Sequence, residues 1–248
     1  MDKLCFEKSF LEKILKSINR LCDSCVLKIE DDQITSISST SDNIVFLYIK
    51  GKLTEKSNFN TKINIIDIKR FLCGLDCLNS DLIDIEIHEN FVKCFSKNTS
   101  EKTHFKYHLA DDSVMSKSTF SIKKISQLKF DTEFLIPVSC QRQIMSAYSF
   151  SPECSKIYFK EQNDNIFVEI NDLNQHNNDS VEIKVSDTYV GSCIKESIPI
   201  NIEIFKHLMY TKNSNIIVKI NNEYKVFVFN VKEDDSIDIK YITSALVK

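Results

Sequence analysis

The sequence predicts an α+β fold of two tandem, similar domains, each with two helices on one face of antiparallel sheet. Three observations support it. Apolar residues near the start of the chain recur at helical spacing, short β-branched segments follow, and the order helix, strands, helix, strands occurs twice. The 248 residues are enough for two such domains, each with its own core.

The first half begins with an amphipathic helix over Phe6–Leu21, in which Leu11, Ile14, Leu15 and Ile18 share one face. A second helix is predicted over Ile65–Gly74. Polar breaks separate the strands around it. The strands predicted here are Val26–Ile29, Gln33–Ile37, Ile44–Ile49, Leu82–Ile87, Phe91–Phe95 and His104–Leu109.

The second half repeats this order, with helices predicted over Ser139–Phe150 and Asn201–Lys212. Ile63–Ile65 and Ile200–Ile202 share the pattern Ile-Asn-Ile, and each is predicted to open a helix. We place the domains at 1–112 and 130–248, with a connector over 113–129. The strands predicted here are Lys156–Phe159, Ile166–Ile170, Val181–Val185, Val190–Ile194, Ile216–Ile220, Tyr224–Phe229 and Ile237–Ile242.

The outer strands of such sheets need partners, because an open sheet edge promotes aggregation. A two-domain chain with a free edge at each end can pair head to tail with copies of itself. If the rotation closes, the product is a ring.

Positive and negative charges are distributed unevenly along the chain. The net charge is only −3, from 32 Lys and Arg against 35 Asp and Glu, so the whole molecule is no polycation. Each predicted helix is nevertheless net positive while the remainder is acidic, which indicates either a surface for nucleic-acid phosphates or ordinary solvated helix faces. The basic residues on or beside the helices are Lys8, Lys13, Lys16, Arg20, Lys69, Arg70, Arg142, Lys206 and Lys212.

Enzymatic motifs are missing. With three glycines the chain contains neither GxGxxG nor GxxxxGK[ST], and its five histidines form no HExxH. We therefore predict no catalytic residue, no enzyme activity and no cofactor.

Cys22, Cys25, Cys73 and Cys77 form two close pairs that could make a Cys₄ zinc site. Each pair lies at a predicted helix end, where small buried residues are common, so we favour reduced structural thiols and predict no metal.

The chain shows no apolar run long enough for a transmembrane helix, and Met1–Phe10 does not read as a secretory signal. We expect an intracellular protein without a membrane partner. The 17 Phe and 8 Tyr could stack on bases, but most lie at alternating strand positions, as Tyr224, Phe227 and Phe229 do, which favours core packing.

With these elements in place, the sequence resembles the sliding DNA clamps, the family of proliferating cell nuclear antigen (PCNA), in register over nearly the whole chain. Low glycine and abundant Asn, Ile and Lys point to a viral or divergent relative. The segments that carry the resemblance are Ser9–Leu21, Ser39–Ile44, Ile63–Leu72, Thr211–Lys212 and Ile239–Leu246.

The resemblance implies a homotrimeric ring around double-stranded DNA, bound without sequence preference. Such a ring is a DNA polymerase processivity factor that tethers replication and repair proteins, and a clamp loader places it on DNA. It implies that the basic helix residues named above line the hole. The location would be the nucleus of a eukaryotic cell, or the replication site of a virus.

The resemblance also implies two protein contacts. A partner-peptide groove would use the connector, a turn and the C-terminal tail: Ser41, Asp42, Asn43, Ile44, Ile122, Ile125, Leu128, Ser244, Ala245 and Leu246. A subunit interface would pair the strand with Phe105, Tyr107 and Leu109 with the strand of the next chain that carries Val181, Ile183 and Val185.

Two alternatives remain at this stage. The chain could be one subunit of a checkpoint-type heterotrimeric ring, or a clamp-like viral transcription or replication factor. It could also be an unrelated α+β binding protein, or a zinc protein, without a role on DNA.

Overall fold

The computed structural model describes residues 2–53, 60–97, 103–115, 120–171, 179–208, 214–234 and 236–246. The chain divides into two compact units, one of Met1–Ser41 with Leu47–Phe120 and one of Asp42–Phe46 with Ser121–Lys248. Both units combine antiparallel strands with a few short helices, which confirms the predicted α+β class.

The first unit contains two helices and eight strands within its described residues, β4 starting in the short segment that groups with the second unit. In chain order they are β1 Asp2–Glu7, α1 Lys8–Asn19, β2 Cys25–Glu30, β3 Gln33–Ser39, β4 Val45–Lys52, β5 Thr61–Ile65, α2 Ile68–Asp76, β6 Leu82–Ile87, β7 Phe91–Ser96 and β8 His104–His108.

The second unit follows the same plan over its described residues. Its elements are α3 Ile122–Ser126, β9 Thr132–Ile136, α4 Val138–Phe150, β10 Lys156–Gln162, β11 Asn165–Ile170, β12 Val181–Ser186, β13 Val190–Gly191, β14 Ile198–Asn201, α5 Glu203–Leu208, β15 Ile216–Asn221, β16 Val226–Asp234 and β17 Ile237–Ser244.

Each unit holds two groups of hydrogen-bonded strands. In the first unit the orders are β1-β6-β7-β8 and β5-β2-β3-β4, and in the second they are β12-β11-β10-β14 and β13-β9-β15-β16-β17. The strands β8 and β12 each have a neighbour on one side only, so both are sheet edges among the described residues.

The core of the first unit lies between its helices and sheets. Phe71 of α2 packs edge-on against Phe105 and Tyr107 of β8, with ring centroids 5.6 and 5.0 Å apart. Gly74 lets β8 come this close, because a Cβ at that position would lie 2.8 Å from the Phe105 ring.

An aromatic cluster forms the core of the second unit. Phe159 of β10 lies 5.3 Å from Phe227 and 6.2 Å from Phe205, measured between ring centroids. All three side chains are fully buried. The prediction that Tyr224, Phe227 and Phe229 alternate in a strand and pack the core is therefore correct for Phe227 and Phe229. It is wrong for Tyr224, which precedes β16 and is 61% exposed.

Several predicted boundaries need correction. The first helix begins at Lys8, because Phe6 and Glu7 pair with β6 as the end of β1. Ile63–Ile65 ends β5 two residues before α2, and Ile200–Asn201 likewise ends β14, so the Ile-Asn-Ile segments close strands rather than open helices. Strands β1, β5, β9 and β14 and helix α3 were not predicted.

Candidate nucleic-acid interface

Helix α1 presents a basic stripe to solvent. Its opposite face buries Leu11, Ile14, Leu15 and Ile18, each at most 1% exposed, and burial of one such side chain contributes about 1.5–3 kcal/mol. This burial fixes the rotation of the helix. The positions left outward at spacings of three and four are Lys13, Lys16 and, in the helical C-cap position, the half-buried Arg20.

One carboxylate accompanies the stripe. Glu12 Oε2 lies 2.6 Å from Lys16 Nζ, one turn away, and Glu12 Oε1 lies 3.8 Å from Lys8 Nζ. The Lys8 ammonium also donates to the Leu78 carbonyl at 2.9 Å. Lys8 thus joins α1 to the residues just after α2, and its described contacts serve the fold.

Helix α2 adds two cations beside the stripe. It packs against α1 and starts at an Asp67 N-cap, whose Oδ1 accepts a hydrogen bond from the Arg70 amide at 2.9 Å. The Ile68 amide donates to the Asp23 carbonyl at 2.9 Å, which joins the start of α2 to the chain just after α1. Lys69 and Arg70 are both exposed.

The Lys69 ammonium lies 3.4 Å from Asp23 Oδ1, with both side chains more than 70% exposed. A pair this exposed contributes little to stability and leaves the ammonium open to other anions. Five of the predicted cations, Lys13, Lys16, Arg20, Lys69 and Arg70, therefore lie on two helices in contact.

The second unit has an equivalent but less basic helix pair, α4 packed against α5. Arg142 is exposed on α4. Lys206 of α5 donates to Glu203 at 2.5 Å and lies 4.8 Å from the Tyr148 ring centroid; the hydrogen bond to Glu203 raises the pKa of its ammonium. Lys212 lies outside the described residues.

The residues of the predicted partner-peptide groove lie on three segments: the turn Ser41–Ile44, the residues around α3, and the C-terminal tail Ser244–Leu246. Asn43 adopts φ 57°, and the Ile44 amide donates to Asp42 Oδ1 at 3.1 Å, so Ser41–Ile44 forms a tight exposed turn. Thr243 Oγ1 of β17 donates to the Ile44 carbonyl at 3.0 Å, which brings this turn to the end of the last strand.

The C-terminal tail and α3 complete the set. The tail is held by backbone bonds from Ala245 to the Lys225 carbonyl at 2.8 Å and from Leu246 to the Pro199 carbonyl at 2.9 Å. Around α3, half-buried Ile122, Ile125 and Leu128 alternate with exposed residues such as Lys123. Ser244 is exposed, beside half-buried Ala245 and Leu246.

The strands predicted to join subunits are the two sheet edges, β8 and β12. Their predicted contact side chains mostly point inward: Tyr107, Ile183 and Val185 are buried, and Tyr107 Oη accepts a hydrogen bond from the Asp67 amide at 2.9 Å. Phe105, Leu109 and Val181 are half-buried. The edge strands β8 and β12 would therefore contact a second copy mainly through their backbone hydrogen-bonding groups.

A groove of about 650 Å³ runs beside the β12 edge. Its walls are the exposed Arg142 and Ser146 and the buried Ala147 of α4, together with the strand segment Val181–Lys184. A strand added at this edge would lie along that groove.

No group of three or more potential metal ligands is found within the described ranges. Cys25 is buried and Cys22 is half-buried, whereas Cys73 on α2 and Cys77 at its C-cap are exposed, so the expectation of buried residues is wrong for the second pair. No helix in the described part of the chain is long and apolar enough to cross a membrane.

Comparisons with known proteins identify the fold. No family model and no curated protein matches the chain. Among solved structures it is similar to PCNA of A. fulgidus, determined with the C-terminal region of FEN-1, at TM-score 0.77 and 10% identity over 100% of this chain and 99% of that one. PCNA of Thermococcus kodakaraensis matches at TM-score 0.76 and 13% identity over 99% and 100%. The chain therefore has the fold of the PCNA sliding clamps along its whole length.

Proposed function

We propose that the chain is a sliding clamp, a DNA polymerase processivity factor that encircles duplex DNA and tethers replication and repair proteins. The observation that carries the proposal is the basic stripe of α1, Lys13, Lys16 and Arg20, in a chain with the clamp fold. The protein acts as a scaffold and not as an enzyme.

The proposed work of the helices is electrostatic. Lysine and arginine side chains on α1 and α2 bind backbone phosphates, so the contacts carry no sequence preference and weaken as salt displaces them. Each contact is weak and exchanges quickly, which permits sliding. Retention then comes from the closed ring and not from affinity.

The proposed ring closes through β8 and β12. Pairing β8 of one copy with β12 of the next would satisfy both free edges and add inter-chain backbone hydrogen bonds. A heterologous contact of this kind, repeated around a rotation that closes, yields a homotrimer. A clamp loader would open and place this ring.

The proposed partner site is the exposed turn Ser41–Ile44 with the tail Ser244–Leu246 and the half-buried residues around α3. The PCNA of A. fulgidus is known in complex with the C-terminal region of FEN-1. By analogy we propose that short peptide segments of polymerases and repair proteins bind this chain. We place the protein in the nucleus of a eukaryotic host or at a viral replication site.

One feature supports a second candidate, a subunit of a heterotrimeric ring. The helix pair α4 and α5 of the second unit carries Arg142 and Lys206 as its lysine and arginine side chains in the described residues, and Lys206 is hydrogen-bonded to Glu203. A ring of mixed subunits could supply the missing positive charge from other chains.

The solution mass separates these candidates. Light scattering after size exclusion, without DNA and at several concentrations, should give a mass near three times 28.7 kDa for a homotrimer. A mass that stays at 28.7 kDa throughout would contradict self-assembly and favour the heterotrimeric ring.

A further inference from the structure

The outer face of strands β7 and β8 carries aromatic and basic side chains that the fold does not bury. Along β7, Val92 and Cys94 point into the core, so Phe91, Lys93 and Phe95 lie on the opposite face and are half-buried. Phe91 and Phe95 thus differ from Phe227 and Phe229, for which the core-packing prediction holds.

The edge strand β8 continues the same face. Tyr107 is buried toward α2, so His104, Lys106 and His108 point away from that helix and are exposed. Register places each of them opposite a β7 residue. The cross-strand pairs are Phe91 with His108, Lys93 with Lys106, and Phe95 with His104.

The aromatic rings on this face form stacked pairs instead of filling the core. His88 stacks on Phe91 with centroids 4.2 Å apart, and Lys106 Nζ lies 3.9 Å from the Phe91 centroid. At the other end of β7, Phe95 and His104 stack at 5.5 Å with an interplanar angle of 26°. Two stacked aromatic pairs therefore flank a central pair of lysines.

The charge on the strands β7 and β8 favours an anion. Neither β7 nor β8 contains a carboxylate. Two lysines directly opposite each other on one sheet face repel, which costs stability unless an anion lies between or beside them. On the adjacent β6, Asp84 lies within 4 Å of Lys3 and Lys97, and Glu86 is in register with Lys93 and can balance its charge. Lys106, on the edge strand, is instead in register with Lys93.

We propose that this aromatic–lysine face, formed by Phe91, Lys93, Phe95, His104, Lys106 and His108, binds single-stranded nucleic acid. One unpaired base stacks on the Phe95–His104 pair and a second extends the stack of His88 on Phe91, while Lys93 and Lys106 bind the backbone phosphate. Phe91 and Phe95 are four residues apart on one strand, about 13 Å, so they take different bases.

This face discriminates against duplex DNA, because paired bases are stacked inside the helix and cannot reach aromatic rings on a flat sheet. It lies on the side of the β1-β6-β7-β8 sheet that points away from α2. It is therefore separate from the basic stripe that serves the proposed clamp function, and the two can be tested independently.

The test uses the full-length chain and a fluorescein-labelled oligo(dT) probe, with binding measured by anisotropy at low salt. The stripe variant with Lys13, Lys16 and Arg20 changed to Glu serves as the parent, which removes binding through α1. In this parent, Phe91→Leu with Phe95→Leu should weaken binding roughly tenfold or more, since leucine keeps the apolar cover but removes the stacking surface. Lys93→Ser with Lys106→Ser should weaken binding and lower the salt slope by about two.

Lys28→Ser with Lys50→Ser is the matched control, because both lysines are exposed on other strands of the same unit. It should bind as the parent does. Ultraviolet crosslinking of the probe to the unmodified chain should map to peptides containing Phe91 or Phe95, which needs no variant to fold.

The proposal is overturned if the parent does not bind oligo(dT), if the leucine variant binds as tightly as the parent, or if no crosslink maps to the peptides that contain Phe91 or Phe95. Binding of a blunt duplex or of an acidic peptide as tightly as oligo(dT) also overturns it. None of these results bears on ring assembly or on the basic stripe of α1.

Discussion

Changing Lys13, Lys16 and Arg20 together to Glu should abolish the stimulation of processive DNA synthesis while the assembly keeps its mass. Lys13 and Lys16 are exposed on the outward face of α1, and the half-buried Arg20 follows them at the C-cap; none is among the residues that α1 buries. Reversal replaces attraction to phosphates with repulsion. The salt dependence of DNA binding should fall by about one unit of slope for each phosphate that the variant no longer neutralises.

The matched control changes Lys28, Lys50 and Lys52 to Glu. It alters net charge by the same amount at exposed positions on β2 and β4. This control should still support processive synthesis, as measured by product length on a primed single-stranded template with the cognate polymerase. Unchanged product length for the stripe variant would remove α1 from the DNA-facing surface.

Ser146→Arg should convert the assembly into monomers. Ser146 is exposed on α4 and lines the groove beside the β12 edge, where the proposed neighbouring strand must lie. An arginine there would project into that space without disturbing the buried face of the helix. Light scattering at micromolar concentration should show a mass near 28.7 kDa.

Ser149→Arg provides the control on the same helix. Ser149 is also exposed but is not part of the groove wall, and its hydroxyl donates to the Met145 carbonyl one turn back. This variant should assemble as the unmodified chain does. If both variants assemble normally, β12 is not the contact edge. If both are monomeric, the loss of assembly results from a change in the helix and not from filling the groove.

Long, strongly periodic segments were predictable from the sequence. The apolar positions of α1 alternate at three and four residues and fix which face is buried, so its outward lysines could be assigned before the fold was known. The tandem order of helices and strands was predictable for the same reason. Short elements were not predictable, because β14 has four residues and α3 has five, too few to distinguish a helical from a strand period.

The tertiary contacts of a side chain were harder to predict from the sequence than the helix or strand it belongs to. Phe91 and Phe95 alternate along their strand as Phe227 and Phe229 do, and only the three-dimensional arrangement separates the outward pair from the buried pair. The same holds for Lys8, whose bond to the Leu78 carbonyl spans 70 residues. Local pattern specifies which side chains share a face, but not what that face contacts.

The most direct test of the clamp proposal is retention on circular and linear DNA. The protein is loaded with its cognate loader onto nicked circular duplex, washed at salt high enough to break phosphate contacts, and measured before and after a restriction cut. A ring that encircles DNA should stay on the circle and leave within minutes once an end is available. Equal loss from circular and linear DNA would show that the chain binds DNA only by surface contact and would contradict topological tethering.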